Sequence, residues 1–122
     1  MVEQVLHHFA TGARRDTLAE NVRYDLISPY GLARLAATYA EGADKYGGDN
    51  WRKGLPWSNI LNHLIMHVES WKAGDRTEDH LAHAAWGLFA LMEYETTHRE
   101  LNDLYFKAEE DTSEGSDHTN VK

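Results

Sequence analysis

The sequence predicts an all-α fold, a small helical bundle completed by oligomerisation. Three observations carry that reading. Apolar residues recur at helical spacing over residues 29–46, over 57–72 and from 78 onward. Residues that start and stop helices bracket the first two stretches. No stretch alternates apolar and polar residues as a half-buried strand does, and no internal repeat appears.

In chain order, Val2, Val5, Leu6 and Phe9 fit a short helical stripe that Gly12 ends, with His7 and His8 read as surface residues beside it. Arg23–Ile27 reads as extended chain. Ser28 then supplies an N-cap oxygen, and Pro29 suits the first helical position because its missing N–H has no partner there anyway. The helix that follows carries Leu32, Leu35, Ala36, Tyr39 and Ala43 on one face. Arg34, Thr38, Glu41 and Lys45 fall on another, and Gly47-Gly48 stops it.

Residues 47–56 read as a loop. The second helix spans Trp57 to Lys72, with Ile60, Leu61, Leu64, Ile65 and Val68 as its apolar stripe and Asn59, His63, His67 and Ser70 on an adjacent face; Gly74 ends it. A third helix starts near Glu78, with Leu81, Ala84, Ala85, Leu88, Leu91 and Met92 as the expected core stripe and His80, His83 and Gly87 as a second one. With no strong breaker before Gly115, it is expected to run to about Lys107. Residues 1–107 form one helical domain on this reading, and 108–122 an acidic tail with the composition of disordered chain. A third helix of that length would stand proud of a small core, which is the motive for expecting a homo-oligomer.

Composition narrows the function. The chain has 122 residues, a formal net charge of −8 and no cysteine. That charge argues against a general DNA- or RNA-binding surface, which is normally basic. No apolar run approaches the roughly 18 residues of a membrane span, and Met1–Gln4 lacks the start of a signal peptide, so a cytoplasmic location is expected. Without thiolates, any metal is held by His, Asp or Glu.

Residues 44–83 concentrate the chemistry. His63 and His67 are four apart, and His80 and His83 three apart, so each pair shares a helix face. Two antiparallel helices joined across 73–77 would bring the pairs together as bundle interiors do for metals, with Asp75, Glu78 and Asp79 as nearby oxygen donors. The same spacing also suits partly buried, hydrogen-bonded histidines with no metal. Lys45, Arg52 and Lys53 flank Gly47-Gly48, where cations meet phosphate oxygens or simply solvent. Trp51 and Trp57 either pack on the core or stack on a base. Trp71 and Trp86, inside helices, read as structural.

Arg23–Pro29, Tyr39–Gly47, the run Asn50-Trp51-Arg52-Lys53-Gly54, His67 with Trp71 and Gly74, and His80-Leu81-Ala82-His83-Ala84-Ala85-Trp86 together resemble the N-terminal domain of phage dATP/dGTP diphosphohydrolases, over roughly residues 21–95. The family is similar to the MazG-like all-α pyrophosphatases, which cut a nucleoside triphosphate between its α and β phosphates with Mg²⁺ or Mn²⁺. The resemblance implies a host-cytoplasmic, oligomeric helical enzyme that binds a purine nucleotide and releases a dNMP and pyrophosphate. It sets Arg23, Lys45, Tyr46, Asn50, Trp51, Lys53 and His67 at the nucleotide and Asp75, Asp79, His80 and His83 at the metal, with Asp79 and His83 as catalytic candidates. Met66 stands where the family usually has arginine and Gly87 where it has asparagine, the link between the helices is short, and the MazG acidic pattern is not intact. These departures keep a second function open, a phage protein that sequesters a nucleotide signal without cutting it. A third is a structural helical protein whose histidines belong to its core.

Overall fold

The structure is a computed structural model and describes residues 6–16 and 21–108. It is all-α: α1 (Pro29–Tyr46), α2 (Trp57–Lys72) and α3 (His80–Thr97) form a three-helix bundle. A short antiparallel ribbon of β1 (Leu6–His8) and β2 (Arg14–Asp16) precedes it, with His7 opposite Arg15. The helical stripe expected around Leu6 and Phe9 is therefore corrected to a strand. Phe9 N–H donates to the Ala13 carbonyl and Gly12 N–H to the Phe9 carbonyl, which closes a hairpin turn at Gly12 (φ +94°). Val2, Val5 and the tail 109–122 lie outside the described residues. Arg23–Ile27 is also corrected: Tyr24–Leu26 is one turn of 3₁₀ helix, with Ile27 N–H bonded to the Tyr24 carbonyl.

The Ser28 side chain accepts from Gly31 N–H at 3.1 Å and starts α1, and Gly47 (φ +93°) ends it. Pro56 leaves α2 with no side-chain cap of its own. Asp103 supplies one from far along the chain, accepting from Ser58 N–H at 2.9 Å and Ser58 Oγ at 2.7 Å. A carboxylate there meets the positive end of the helix dipole.

α2 and α3 form a hairpin, and α1 packs on α3. The core is Trp57, Ile60 and Leu64 from α2 with Ala84, Ala90 and Tyr94 from α3. This overturns half of the expected core stripe on α3: Ala84 is buried and Leu91 packs against the core, but Leu81, Leu88 and Met92 are 39, 51 and 56% exposed. The buried stripe is the one with small side chains, Ala84, Gly87 and Ala90. They let the helix axes approach closely: a Cβ on Gly87 would meet Leu64 Cβ at 3.0 Å. The longer aliphatic side chains of α3 do not fit that narrow seam and point outward.

α3 also ends at Thr97, about ten residues before the expected Lys107. The stop is tertiary. The His98 ring reaches the Arg52 carbonyl at 2.8 Å through Nε2 and Glu100 at 3.2 Å through Nδ1, and the His98 carbonyl accepts from the Trp57 indole at 3.2 Å. The chain then turns through Arg99–Leu101 over the 51–54 turn. A third helix of ordinary length removes the original motive for an oligomer. The outward Leu81, Leu88 and Met92 supply a different one, since they form an apolar stripe that is left exposed among the described residues. Among the described residues, no helix is long and apolar enough to cross a membrane.

Candidate functional site

The polar stripe of α1, at i, i+4, i+7 and i+11, faces the N-terminal half of α3. Arg34 at its start grips Asp79 with two hydrogen bonds, 2.9 Å from Nε and 2.5 Å from a terminal nitrogen. Asp79 also caps α3 by accepting from Ala82 N–H at 3.2 Å. The Arg34 guanidinium beside it holds the Asp79 carboxyl down at about 2. Two turns further on, Glu41 meets His83 Nε2 at 3.3 Å.

Three imidazoles gather where α2, the 73–79 link and α3 meet. His67 lies 5.1 Å, ring centre to ring centre, from both His80 and His83. His67 Nδ1 and His80 Nδ1 face each other at 2.9 Å. Three carboxylates surround the group. Asp75 is 3.1 Å from His80 Nε2, and Glu78 is 2.7 Å from His83 Nδ1 and 3.9 Å from His67 Nδ1. Glu41 completes the set. The Asp75 oxygen lies at ion-pair distance from His80 Nε2 but off the hydrogen-bonding direction, so that nitrogen has no aligned partner although its residue is only 4% exposed. Asp75 is itself fixed, accepting from Thr77 N–H at 2.8 Å and Thr77 Oγ1 at 2.7 Å, and these bonds, with a smaller part from His80, hold its carboxyl at about 2. Burial lowers the His67 pKa below the usual imidazole value, against the pull of Glu78.

A cleft runs between α1, the loop after it and α3, in two lobes that share Thr38, Leu55, His83 and Trp86. The first, about 260 Å³, is walled by Tyr39, Trp51 and Trp86 and edged by Lys45, Tyr46 and Asn50. The second, about 250 Å³, is lined by Asn59, His63 and His67 along α2, with Gly87 at its floor. Each alone is slightly below the roughly 300 Å³ at which small-molecule sites begin, and joined they reach that range.

The aromatic wall is built, not loose. The Tyr39 and Trp51 rings meet edge to face at 5.7 Å, and the Arg52 guanidinium lies 4.9 Å over the Trp51 ring. Beneath them, fully buried Tyr94 donates its hydroxyl to the Trp51 carbonyl at 2.5 Å. Trp51 packs one side toward the core and walls the cleft with the other. Trp57 is core, its indole N–H spent on the His98 carbonyl.

The structure brings Lys45, Tyr46, Asn50 and Trp51 to the first lobe, His67 to the second and His83 to both. Arg23, paired with Asp25 at 2.8 Å, and Lys53 line neither lobe. His80 and Asp75 sit together behind His67, while the carboxylate of Asp79 is taken by Arg34 and the helix N-terminus. Sequence reasoning passed over Glu41, Thr38, Tyr39 and Trp86. The first two lie on the polar stripe of α1, which was visible but had no assigned partner. Tyr39 and Trp86 read as core residues, and each shows one face to the cleft.

A family model described as dATP/dGTP diphosphohydrolase, N-terminal, matches residues 10–104. No curated protein and no solved structure matches the chain.

Proposed function

Since the chain belongs to the dATP/dGTP diphosphohydrolase N-terminal family, whose description implies a nucleotide substrate, we propose that its cleft binds a purine deoxynucleoside triphosphate and hydrolyses it to dNMP and pyrophosphate. The observation that carries this reading is the two-lobed cleft, aromatic at one end and lined with histidines at the other, with Lys45 at its rim. The base occupies the lobe of Tyr39, Trp51 and Trp86, where stacking on an aromatic face contributes about 1–3 kcal/mol per base. The phosphates pass Lys45 and Asn50 toward His83 and the second lobe.

The donor set there suits a divalent cation that accepts nitrogen, Mn²⁺ better than Mg²⁺, because imidazole nitrogens and a carboxylate of His67, His80 and Glu78 lie within 4.8 Å of one another among the described residues. When bound, the cation would neutralise charge on the triphosphate and polarise its phosphorus–oxygen bonds. His83 is the general base of this proposal. Its Nδ1–H donates to Glu78, which fixes the tautomer; Nε2 stands 3.3 Å from Glu41 at the cleft, and its lone pair is open to water once that exposed carboxylate turns aside. Nε2 takes a proton from water as the water oxygen bonds to the α-phosphorus. The bond from that phosphorus to the bridging oxygen breaks, and the proton passes on to the leaving pyrophosphate. Asp79 acts by positioning: its pair with Arg34 ties the start of α3 to α1.

One observation favours the second reading, binding without turnover. Asp79, the carboxylate nearest His83 in sequence, is neutralised by Arg34 and offers no free oxygen pair for a second cation. Titration of the protein with dATP and dGTP, followed through tryptophan fluorescence, tests the binding half. Trp51→Ala is expected to weaken binding by at least tenfold and Lys45→Ala by several-fold, while His8→Ala, exposed on the β-ribbon, leaves it unchanged. Unaltered affinity in both cleft variants would remove the nucleotide from this site.

A further inference from the structure

We propose that His63 holds the terminal phosphates of the ligand, with the side-chain amide of Asn59 beside it, and so makes the cleft select a triphosphate over a monophosphate. This deepens the proposed function and rests on it for the path of the phosphates.

The two lobes differ in what they offer an anion. Lys45 stands at the first, while the second has no lysine or arginine in its lining. His83 belongs to both lobes, and Asn59 and His63 to the second alone. With the base beside Trp51 and the α-phosphorus at His83, the groups beyond that phosphorus reach the end of the cleft where Asn59 and His63 stand. A polyanion in that place needs a donor.

The other three imidazoles are poorly suited to the task. Each has a carboxylate at ion-pair distance: Asp75 is 3.1 Å from His80, and Glu78 is 3.9 Å from His67 and 2.7 Å from His83. Glu41 adds a second at His83, 3.3 Å away. A phosphate brought to any of these rings meets a negative oxygen beside it unless a cation stands between them. His63 has no carboxylate at such a distance among the described residues. Its hydrogen bond runs from Nδ1 to the carbonyl of Asn59, 2.9 Å away and one turn back on the same helix. A carbonyl only accepts, so Nδ1 carries a proton and the tautomer is fixed. That leaves Nε2 as the open nitrogen, without a partner among the described residues, on a ring that lines the lobe.

A phosphate oxygen at Nε2 favours a second proton there, taken from solvent, because an opposite charge nearby stabilises the imidazolium. The Asn59 carbonyl supports that cation through Nδ1–H, and the new Nε2–H donates to the phosphate in a charge-assisted bond. Carbonyl and ring both belong to α2, so the donor stands in place before the ligand arrives. Asn59 lies four residues before His63 on the same face, and its side-chain amide, which bonds nothing among the described residues, adds a neutral donor.

The probes are dAMP and the dATP analogue with a methylene group between its α and β phosphorus atoms, which cannot be cut there. Each is titrated into the full chain with Mn²⁺ present and followed through tryptophan fluorescence. The parent is expected to hold the analogue more tightly than dAMP. His63→Ala weakens the analogue by about tenfold, the lower end of what a hydrogen bond to a charged group contributes, because the ring is exposed. It leaves dAMP unchanged, and His63→Lys, which returns a cation, recovers most of the loss. His8→Ala changes neither affinity. Should His63→Ala not fold by circular dichroism, His63→Gln, which keeps bulk and loses the charge, decides by the same comparison. Unchanged analogue affinity in the folded variant overturns the proposal, as does an equal loss for the analogue and dAMP, which would mean that the ring only shapes the cleft. A parent that binds both probes equally also overturns it, and leaves the base lobe standing. A parent that binds neither rejects the nucleotide reading and this site with it.

Discussion

Tyr94→Phe isolates the brace beneath the cleft. The ring is fully buried and stays, so no apolar area is lost and no cavity opens. What disappears is the hydroxyl that donates to the Trp51 carbonyl at 2.5 Å and that also meets the backbone of Leu55. Both backbone groups belong to the turn that holds Trp51 against Tyr39. An inward-facing carbonyl left without its donor costs about 1–3 kcal/mol, more than the net worth of an ordinary exchanged hydrogen bond. With a urea slope of about 2 kcal/mol/M, the unfolding midpoint falls by about 0.5–1.5 M. Since the lost contact anchors the wall of the first lobe, dATP affinity measured well below the midpoint should fall several-fold as well. Equilibrium urea denaturation and the fluorescence titration together read both effects. A midpoint shift below 0.3 M, corresponding to less than about 0.6 kcal/mol, would show that the turn holds itself. A stability loss with unchanged affinity would separate Trp51 from the ligand.

Three further outcomes follow from the same contacts. Gly54 sits at φ +102° and ψ 140°, and a Cβ there would meet Leu101 Cδ1 at 2.6 Å and the clasped His98 ring at 3.2 Å; Leu101 can swing aside and the ring cannot. Gly54→Ala should cost about 2–4 kcal/mol from backbone strain and overpacking, read as a lower melting temperature, and a change under 1 kcal/mol would contradict the described turn. The His98 ring faces two acceptors, the Arg52 carbonyl and then Glu100, which raises its pKa above the ordinary 6.5. Its stabilisation is therefore complete below pH 6.5 and lost as pH rises through the raised value; the difference in urea midpoint between the parent and His98→Gln should shrink from pH 6 to pH 8, and a constant difference would refute the clasp. Finally, the outward stripe of Leu81, Leu88 and Met92 should be covered by a second copy, so light scattering at micromolar concentration is expected to give at least a dimer and Leu88→Glu a monomer; a monodisperse parent monomer would leave the stripe without that role.

How much of this was legible in the sequence varied with how local the cause was. Ser28-Pro29 and Gly47 bracket α1, and Trp57–Lys72 was read at the bounds α2 has, because caps and glycines act within one turn. The end of α3 was not legible, since His98 is captured by a carbonyl 46 residues away in sequence. Its buried face was legible only in part. Ala84 was expected in the core, but hydrophobicity put Leu81, Leu88 and Met92 there too, where helix approach distance selects the small side chains of Ala84, Gly87 and Ala90. In the site, spacing put the pair His63 and His67 with the pair His80 and His83; His67 does join His80 and His83, while His63 bonds the Asn59 carbonyl of its own helix. Glu41 and Arg34 gained their roles only when α1 was laid against α3. The β-ribbon escaped because Leu6–His8 is three residues long, too short to show an alternation.

The central claim is that this cleft cuts a deoxynucleoside triphosphate between its α and β phosphates. Incubation of the purified chain with dATP or dGTP and Mg²⁺ or Mn²⁺, with nucleotide products resolved by chromatography and pyrophosphate counted enzymatically, tests it most directly. The account predicts dNMP and pyrophosphate in equal amounts and a rate about 10²–10⁴-fold lower in His83→Ala. Nucleotide bound and recovered intact, or the same rate in folded His83→Ala, would contradict it.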